Sequence, residues 1–177
     1  MEVRSDDLDE YSRIPCAFTV REKVDLELLQ STGEIVGNPV TPFVKDYDLY
    51  EAERPDRLSA LWNLSNWGIF LARDDDFPSG GAIVALDTPA LARPGVGLLQ
   101  DVRVSPSFRG HGLGTKLVER ATEWSRSKGC SDLLVETQDI NVAACRLYKR
   151  YGFRIHAVDH AAYPDLDEVR LLWTLAL

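Results

Sequence analysis

Glycines alternate with other residues just before a segment whose apolar positions have helical spacing. This segment is Arg109-Gly110-His111-Gly112-Leu113-Gly114-Thr115, and the apolar strand Val96 to Val104 precedes it. A glycine turn between a strand and a helix presents backbone N–H groups without Cβ obstruction, at the positive end of the helix dipole. The segment is therefore predicted to bind an anion such as a phosphate group.

Two common phosphate-binding patterns do not fit this turn. The dinucleotide fingerprint needs glycine at position 115 or 117, where Thr115 and Leu117 stand. The loop of nucleotide hydrolases needs a Gly-Lys-Ser/Thr step, whereas Lys116 follows a threonine. The pattern that remains is Arg-x-x-Gly-x-Gly. A tight turn without any ligand is the alternative interpretation.

A second motif lies downstream and runs from Asn141 to Phe153. Asn141 is predicted to cap a short helix, and Ala144 leaves room for a ligand against that helix. Tyr148 lies on the same helix face, two turns further on. For an isolated tyrosine on an amphipathic helix, a place in the core would be the simpler interpretation.

Both motifs, in this order, resemble the GCN5-related N-acetyltransferases (GNAT family). The glycine turn is similar to that family's motif A, and the second motif is similar to its Asn-x-x-Ala-x-x-Leu/Phe-Tyr-x-x-x-Gly-Phe. The resemblance implies an acetyl-CoA-dependent enzyme that needs no metal, with the pyrophosphate of acetyl-CoA at the glycine turn. It implies the following cofactor-binding residues: Val102, Arg103, Val104, Arg109, Gly110, His111, Gly112, Leu113, Gly114, Thr115, Asn141, Ala144 and Tyr148.

The resemblance also implies roles in direct acetyl transfer to an amine. The leaving group is the coenzyme A thiolate, and a phenol with a pKa of about 10 is suited to return a proton to it, which makes Tyr148 the expected general acid. In the family, a bulged strand before the glycine turn offers a free backbone N–H to the carbonyl oxygen. By that analogy the N–H falls here at Val102.

The general base is expected to be a carboxylate. Many relatives carry Glu-Asp where this chain has Gln100-Asp101, and a glutamine cannot accept the proton of the amine. Asp101 and Glu136 remain as candidates, and Glu136 is favoured. Either carboxylate could instead bind a cationic substrate or belong to a structural ion pair.

The run from Glu136 to Asn141, with the later Asp159 and Tyr163, looks like the streptothricin acetyltransferase branch of the family. That similarity covers roughly the C-terminal half of the chain and implies a streptothricin-type acceptor and a role in antibiotic resistance. Two alternatives stay open: acetylation of a protein lysine or N-terminus, and a non-catalytic acyl-CoA-binding module.

The charge distribution favours a small cationic amine as acceptor. The net charge is -8, but residues 103 to 154 carry 10 basic and 5 acidic residues, which leaves -13 for the remainder. A chain this acidic lacks the excess of basic residues that binding to duplex nucleic acid requires. An acidic cluster interleaved with aromatic rings can hold an ammonium group; here it comprises Asp46, Asp48, Glu51 and Glu53 with Tyr47, Tyr50, Trp62 and Trp67. A solvated surface is the alternative interpretation.

Cysteine usage indicates a reducing compartment. Cys16, Cys130 and Cys145 are an odd number at wide spacings, with no Cys-x-x-Cys pair. No secretory signal or apolar run of about 20 residues is present, so the expectation is a cytoplasmic protein without a membrane partner. The three histidines lack metal-ligand spacing. Cys145 could suggest an acetyl-cysteine intermediate, although a small buried residue is the simpler interpretation.

These residues must be positioned by an α/β fold. The expected architecture is a GNAT-like mixed β-sheet with helices on both faces, formed by all 177 residues as one domain. Residues 1–14 are expected to be flexible, residues 15–95 to shape the acceptor site and residues 96–158 to bind acetyl-CoA. Residues 30–57 support no structural prediction, and no oligomeric state is encoded, although a homodimer is compatible with the sequence.

Overall fold

The chain passes repeatedly between two compact units. The computed structural model describes residues 8–50, 54–75, 77–86 and 94–177, together with the backbone of residues 2–3. The first unit comprises Met1–Ala17, Asp46–Leu133 and Leu177, and the second comprises Phe18–Lys45 and Leu134–Ala176. Because each unit is assembled from separated segments, the boundaries at residues 95 and 158 do not coincide with this division. The assignment of one domain remains a prediction.

The first unit contains four antiparallel strands in the order β1-β4-β5-β6. They are β1 (Glu2–Val3), β4 (Gly68–Asp74), β5 (Phe77–Ala85) and β6 (Val96–Val104). Strand β5 is buried from Ser79 to its end, which explains why its sequence is a continuous small and apolar run without alternation. The strand predicted over Val96 to Val104 is confirmed residue for residue.

A long amphipathic helix, α4 (Leu113–Ser127), packs on this sheet. Its buried apolar residues share one face of the helix and are Leu117, Val118, Ala121 and Trp124. Trp124 meets Phe70 edge to face, with ring centroids 6.1 Å apart. The helix is thereby fixed to the strands that precede the glycine turn.

The N-terminal segment differs from the prediction. Leu8, Tyr11 and Ile14 are core residues, whereas residues 1–14 were expected to be flexible. Helix α1 (Leu8–Tyr11) and Ile14 bury their apolar side chains against β4, β5 and α3 (Leu58–Leu61). The polar residues around them masked a pattern of three apolar anchors. Residues 1 and 4–7 lie outside the described part of the chain.

The sequence predicts a hairpin in which strands over Gly68 to Ala72 and Gly81 to Leu86 flank a turn. Strands β4 and β5 form this hairpin, but its turn is shorter than expected. A turn over Arg73 to Gly80 was expected from its three aspartates, proline and glycine. Instead Asp74 pairs with Phe77, and Arg73 pairs with Pro78 next to a register shift. Asp75 adopts a left-handed φ of 49°, a conformation that aspartate tolerates better than most residues.

The second unit begins with strand β2 (Phe18–Val24), helix α2 (Leu26–Thr32) and strand β3 (Gly37–Lys45), and β2 and β3 pair antiparallel. Strand β3 contains Pro39 and Pro42, which a two-stranded sheet tolerates because each strand has a free edge. This is why the segment supported no prediction from sequence. Its prolines look like loop residues.

The rest of the second unit contains β7 (Asp132–Gln138), α5 (Val142–Tyr151), β8 (Arg154–Asp159) and β9 (Arg170–Ala176). The strand order is β7-β9-β8, and β8 pairs antiparallel with β9. The first two residues of β7 belong to the other unit. The sequence predicts these elements as a strand over Leu133 to Thr137, a helix over Asn141 to Tyr151, and strands over Phe153 to Val158 and Val169 to Leu177. The structure has all four with ends that differ by at most one residue, and the α/β class is confirmed.

We predict that Ile14→Ala lowers the free energy of unfolding by about 2 to 5 kcal/mol, because it empties a fully buried site. Leu61→Ala removes a similar volume from a side chain that is 54% exposed and should change stability by less than about 0.5 kcal/mol. Urea unfolding followed by circular dichroism measures both. Equal, small effects would mean that residues 8–14 are a loose tail after all.

Candidate active site

The glycine turn leaves its outer side open. It follows a 3₁₀ turn over Pro106–Phe108, and both Gly110 and Gly112 have left-handed φ angles, of 80° and 84°. A Cβ atom added to either glycine would meet nothing within 4 Å. The protein itself therefore leaves free the space that side chains would fill at this turn.

The start of α4 supplies hydrogen-bond donors toward that turn. Gly112 is the N-cap residue, and in the described part of the chain no side chain caps the helix. The first intrahelical bond runs from the Lys116 N–H to the Gly112 carbonyl at 3.2 Å. The N–H groups of Leu113, Gly114 and Thr115 thus have no acceptor further back along the helix. This arrangement suits a phosphate group.

The Arg109 side chain braces the turn. Its Nε donates to the Val104 carbonyl at 2.8 Å, and its Nη2 donates to the Ala17 carbonyl at 3.1 Å. These bonds connect the turn to the end of β6 and to the segment that follows α1. Arg109 is one of the predicted cofactor-binding residues, but its guanidinium donates hydrogen bonds to backbone carbonyls of the protein itself.

Strand β6 is bulged just before the turn. Ile83 of β5 pairs with Asp101, but Val84 pairs with Leu99, so Gln100 is the extra residue. The sequence resemblance placed the free N–H of the bulged strand at Val102, which pairs with Ala82 in regular register. The bulge is present, two residues earlier than that position. The role of the Val102 N–H stays a prediction.

A buried ion pair holds the middle of β6. Arg103 is 3% exposed, and its Nε donates to Asp101 Oδ2 at 2.6 Å. Its Nη1 donates to Asp48 Oδ1 at 2.8 Å, and its guanidinium carbon lies 5.9 Å from the centre of the Tyr11 ring. The side chain of Arg103 therefore points into the first unit. Only its backbone could contact a cofactor.

Asp101 takes the structural role that the sequence left open. Burial raises the pKa of its carboxyl group, and the adjacent Arg103 acts in the opposite direction. Because the 2.6 Å contact also ties the carboxylate to Arg103, taking a proton from a substrate would weaken the pairing of a buried guanidinium. Asp101 is accordingly less suited than Glu136 to the role of general base.

The acidic cluster differs in part from the predicted ammonium pocket. Asp48 is paired with Arg103, and Asp46 Oδ1 accepts bonds from the Asp48 N–H at 3.0 Å and from Cys16 Sγ at 3.3 Å. Trp67 is a core residue, 8% exposed, whereas Trp62 is 40% exposed. Glu51 and Glu53 lie outside the described residues. The charge of Asp48 is thus neutralised internally.

The Cys16, Asp46 and Asp48 side chains also bring possible metal-ligating atoms within 4.8 Å of one another. The positive charge that the structure places on Asp48 is that of the Arg103 guanidinium. The ordinary ion pair and hydrogen bonds account for this group without a metal.

The second motif forms the capped helix that the sequence predicts. Asn141 Oδ1 accepts from the Ala144 N–H at 3.2 Å at the start of α5, and Gly152 ends the helix with a left-handed φ of 114°. Tyr148 is 5% exposed, and its ring lies 5.4 Å from that of Phe153. The aromatic ring is therefore packed in the second unit and held in one place.

Glu136 is the more accessible candidate base. Its side chain is 41% exposed, and its Oε1 accepts a 2.6 Å hydrogen bond from the hydroxyl of Tyr163. Its Oε2 lies 3.7 Å from Arg170 Nη1, within ion-pair range but beyond hydrogen-bond length. In contrast to Asp101, this carboxylate is not required to neutralise a buried cation.

Sequence reasoning gave Tyr163 and Gln138 no role beyond a family resemblance. Gln138 Nε2 donates to the Tyr163 hydroxyl at 2.9 Å, and that hydroxyl donates to Glu136. Because side chains alternate between the faces of a strand, the sequence of β7 could have predicted that Glu136 and Gln138 share one face. It could not have predicted their common partner, Tyr163, which lies in the irregular segment between β8 and β9.

Cys145 is buried in a polar contact. Its Sγ lies 3.5 Å from Thr137 Oγ1, which itself accepts from Trp173 Nε1 at 2.9 Å. Burial raises the pKa of the Cys145 thiol to about 12. A thiol in this state is a poor nucleophile, which argues against an acetyl-cysteine intermediate.

We predict that Cys130 reacts with iodoacetamide at pH 8 well before Cys16 and Cys145. Burial raises the pKa of both other thiols to about 12, so only on the order of 10⁻⁴ of each is thiolate at that pH. Peptide mass spectrometry of timed samples measures the order of modification. Early alkylation of Cys145 would show that its site opens and that a nucleophilic role deserves to be reinstated.

The chain is similar to known acetyltransferases over most of its length. A streptothricin acetyltransferase of Escherichia coli is 30% identical over 152 residues, which span 86% of this chain and 79% of that protein. Streptothricin acetyltransferase A of Bacillus subtilis strain 168 is 37% identical over 82 residues. That second match spans about half of each protein, 45% of this chain and 47% of the relative.

Two solved structures of acetyltransferases have folds similar to that of this chain. A Bacillus anthracis protein assigned as a streptothricin acetyltransferase, solved with acetyl coenzyme A, superposes with a TM-score of 0.79 at 26% identity. The match covers 99% of this chain and 96% of that one. A nourseothricin acetyltransferase at 22% identity, with a TM-score of 0.74, shares the fold.

None of the helices in the described ranges is long and apolar enough to cross a bilayer.

A model of the acetyltransferase (GNAT) family matches residues 41–153, which is more than half of the chain and includes both motifs. The chain belongs to the acetyltransferase (GNAT) family.

Proposed function

We propose that this chain transfers the acetyl group of acetyl-CoA to a primary amine of a small cationic acceptor of the streptothricin type. The observation that carries the proposal is the open start of α4, where two left-handed glycines leave room beside N–H groups with no capping side chain. Membership of the family supports the reaction class. Cysteines without disulfides suit a cytoplasmic enzyme.

Acetyl-CoA would be held by its pyrophosphate at the glycine turn, from Arg109 to Thr115. The N–H groups of Leu113, Gly114 and Thr115 would donate to the phosphate oxygens, assisted by the dipole of α4. The backbone of Val102 to Val104 would contact the pantetheine arm. In the second motif, Asn141 and Ala144 would contribute through the start of α5.

The reaction would proceed by direct attack. The neutral amine nitrogen forms a bond to the thioester carbon, and the bond between that carbon and sulfur then breaks. The negative oxygen of the tetrahedral intermediate would accept a hydrogen bond from the Val102 N–H. The amine nitrogen would lose a proton to the base, and the departing thiolate would receive one from the Tyr148 hydroxyl. Proton exchange with solvent would then return the base to a carboxylate and the Tyr148 phenolate to a phenol, so charges and protons balance without a metal.

Glu136 is the base that the geometry favours. Its carboxylate is 41% exposed, whereas Asp101 is tied to the buried Arg103 at 2.6 Å. Protonating Asp101 would weaken the pairing of a buried guanidinium, which costs several kcal/mol when it is left uncompensated. Protonating Glu136 disturbs only the exposed contact with Arg170 and the bond from Tyr163.

A cationic acceptor is supported by charge and by relatives. The chain carries -13 outside residues 103 to 154, which favours the approach of cations. The relatives from Bacillus subtilis and Escherichia coli are streptothricin acetyltransferases. Because Asp48 is neutralised by Arg103, recognition of the cation would depend on other acidic groups than this one.

We expect Gly112→Ala to weaken acetyl-CoA binding at least 10-fold, because its Cβ would project into the space beside the N–H donors. Gly129→Ala is the matched control. Gly129 lies just beyond the other end of α4, with a φ of 77° and nothing within 4 Å of an added Cβ, so alanine meets the same left-handed region of φ there. Isothermal calorimetry with acetyl-CoA compares the two. Equal affinities would remove the glycine turn from the cofactor site.

Tyr148→Phe should lower kcat about 10²-fold while the Kd for acetyl-CoA changes by less than a few-fold, because only the proton donor is lost. Tyr151→Phe, on the same helix, is a suitable control for loss of a hydroxyl. Turnover is followed by release of the coenzyme A thiol. Unchanged turnover in Tyr148→Phe would assign this ring to packing alone.

Glu136→Gln should reduce kcat by about 10²-fold or more with little change in the KM for the amine, as expected for loss of a base. Glu119→Gln neutralises an exposed glutamate on α4 and should leave both constants unchanged. A raised KM with normal kcat in Glu136→Gln would instead mean that this carboxylate binds the cation.

A further inference from the structure

The hydroxyl of Tyr163 is held between two side chains of one strand. Residues of a β-strand alternate between its faces, and in β7 the buried positions are Leu133, Val135 and Thr137. Glu136 and Gln138 therefore share the opposite face. Gln138 Nε2 donates to the Tyr163 oxygen at 2.9 Å, and the Tyr163 hydroxyl donates to Glu136 Oε1 at 2.6 Å.

The direction of this chain of hydrogen bonds is fixed by chemistry. The Gln138 amide nitrogen can only donate, so the phenol oxygen must accept from it and direct its own proton to the carboxylate. Burial and the neighbouring Glu136 raise the pKa of the Tyr163 hydroxyl. The hydroxyl therefore keeps its proton under ordinary conditions, and it acts as a donor rather than as an acid or a base.

The segment that carries Tyr163 is anchored at its C-terminal end. Lys45 Nζ lies 2.7 Å from Glu168 Oε1, and both side chains are only 8% exposed. Asp139 accepts the Val169 N–H at its Oδ1 at 2.9 Å, and the Asp139 N–H donates to the Val169 carbonyl at 2.9 Å. Such paired contacts fix the connection from β8 to β9, so Tyr163 is presented from a defined position.

The second oxygen of Glu136 has a looser environment. Arg170 makes its close contact with Asp159, at 2.6 Å from Nη2 to Oδ2, and its Nη1 is 3.7 Å from Glu136 Oε2. One carboxylate oxygen is thus fixed by a short hydrogen bond. The other is left without a contact of hydrogen-bond length among the contacts found for this carboxylate.

We propose that Tyr163 is a positioning residue for Glu136, and that its hydrogen bond to Oε1 fixes the carboxylate so that Oε2 receives the proton of the amine. The inference rests on the proposed function, because it assigns the partner of the base in that reaction. Loss of the bond would let the Glu136 side chain sample several rotamers, and a misplacement of about 1 Å is enough to slow catalysis markedly.

The test is a double-mutant cycle with Tyr163→Phe and Glu136→Gln, read as kcat and KM for a streptothricin-type amine. Tyr163→Phe should lower kcat about 10-fold and leave the KM for the amine and the KM for acetyl-CoA within 2-fold of their wild-type values. In the Glu136→Gln background it should change kcat by less than 2-fold, since there is no longer a base to position. Tyr151→Phe is the matched control and should leave kcat unchanged in each background.

Two results would overturn this assignment while leaving the proposed function standing. One is wild-type kcat in Tyr163→Phe, and the other is the same 10-fold loss with and without Glu136. If the wild-type protein transferred no acetyl group to any amine, the role of Tyr163 and the proposed function would both be overturned. If Tyr163→Phe lowers the melting temperature, Gln138→Met removes the other contact of the hydroxyl. It should then reproduce a smaller loss of kcat that also disappears in the Glu136→Gln background.

Discussion

Burying the guanidinium of Arg103 constrains the candidate active site. A buried charge without partners costs several kcal/mol, so Arg103 requires the carboxylates of Asp101 and Asp48 at 2.6 and 2.8 Å. The bond to Asp48 connects β6 to the segment after β3, three residues beyond the bulge at Gln100. The two bonds also withdraw both carboxylates from substrate chemistry. Glu136 is then the remaining candidate base, and in the proposed function a cationic acceptor would be bound by carboxylates other than that of Asp48.

The run Glu136-Thr137-Gln138-Asp139 has a structural role in the second unit. Its four side chains all reach residues after β8: Glu136 and Gln138 meet Tyr163, Thr137 accepts from Trp173, and Asp139 accepts from the Val169 N–H. The motif thus fixes β9 and the connection that precedes it, through both faces of β7 and the residue that follows this strand. The same contacts orient the proposed base, so in the proposed mechanism packing and catalysis would depend on the same residues.

Local features of the site were predictable from sequence, and distant pairings were not. The glycine turn, the Asn141 cap and the Gly152 helix end each depend on neighbours within a few residues, and all three are present. The partners Asp48 and Arg103 are 55 residues apart, and Glu136 and Tyr163 are 27 apart. Many carboxylates could have filled either place. Strand β3 escaped prediction because its two prolines are tolerated only where a strand has a free edge.

Thiol release from acetyl-CoA, measured with a panel of acceptors, tests the proposed activity most directly. The panel contains streptothricin, a polyamine, an uncharged primary amine and a lysine peptide, and mass spectrometry identifies the acetylated product. Release should be fastest with streptothricin, slower with the polyamine and least with the uncharged amine, with one amide formed per thiol. Release only with the lysine peptide, or binding of acetyl-CoA without release for any amine, would contradict an enzyme for small cationic amines.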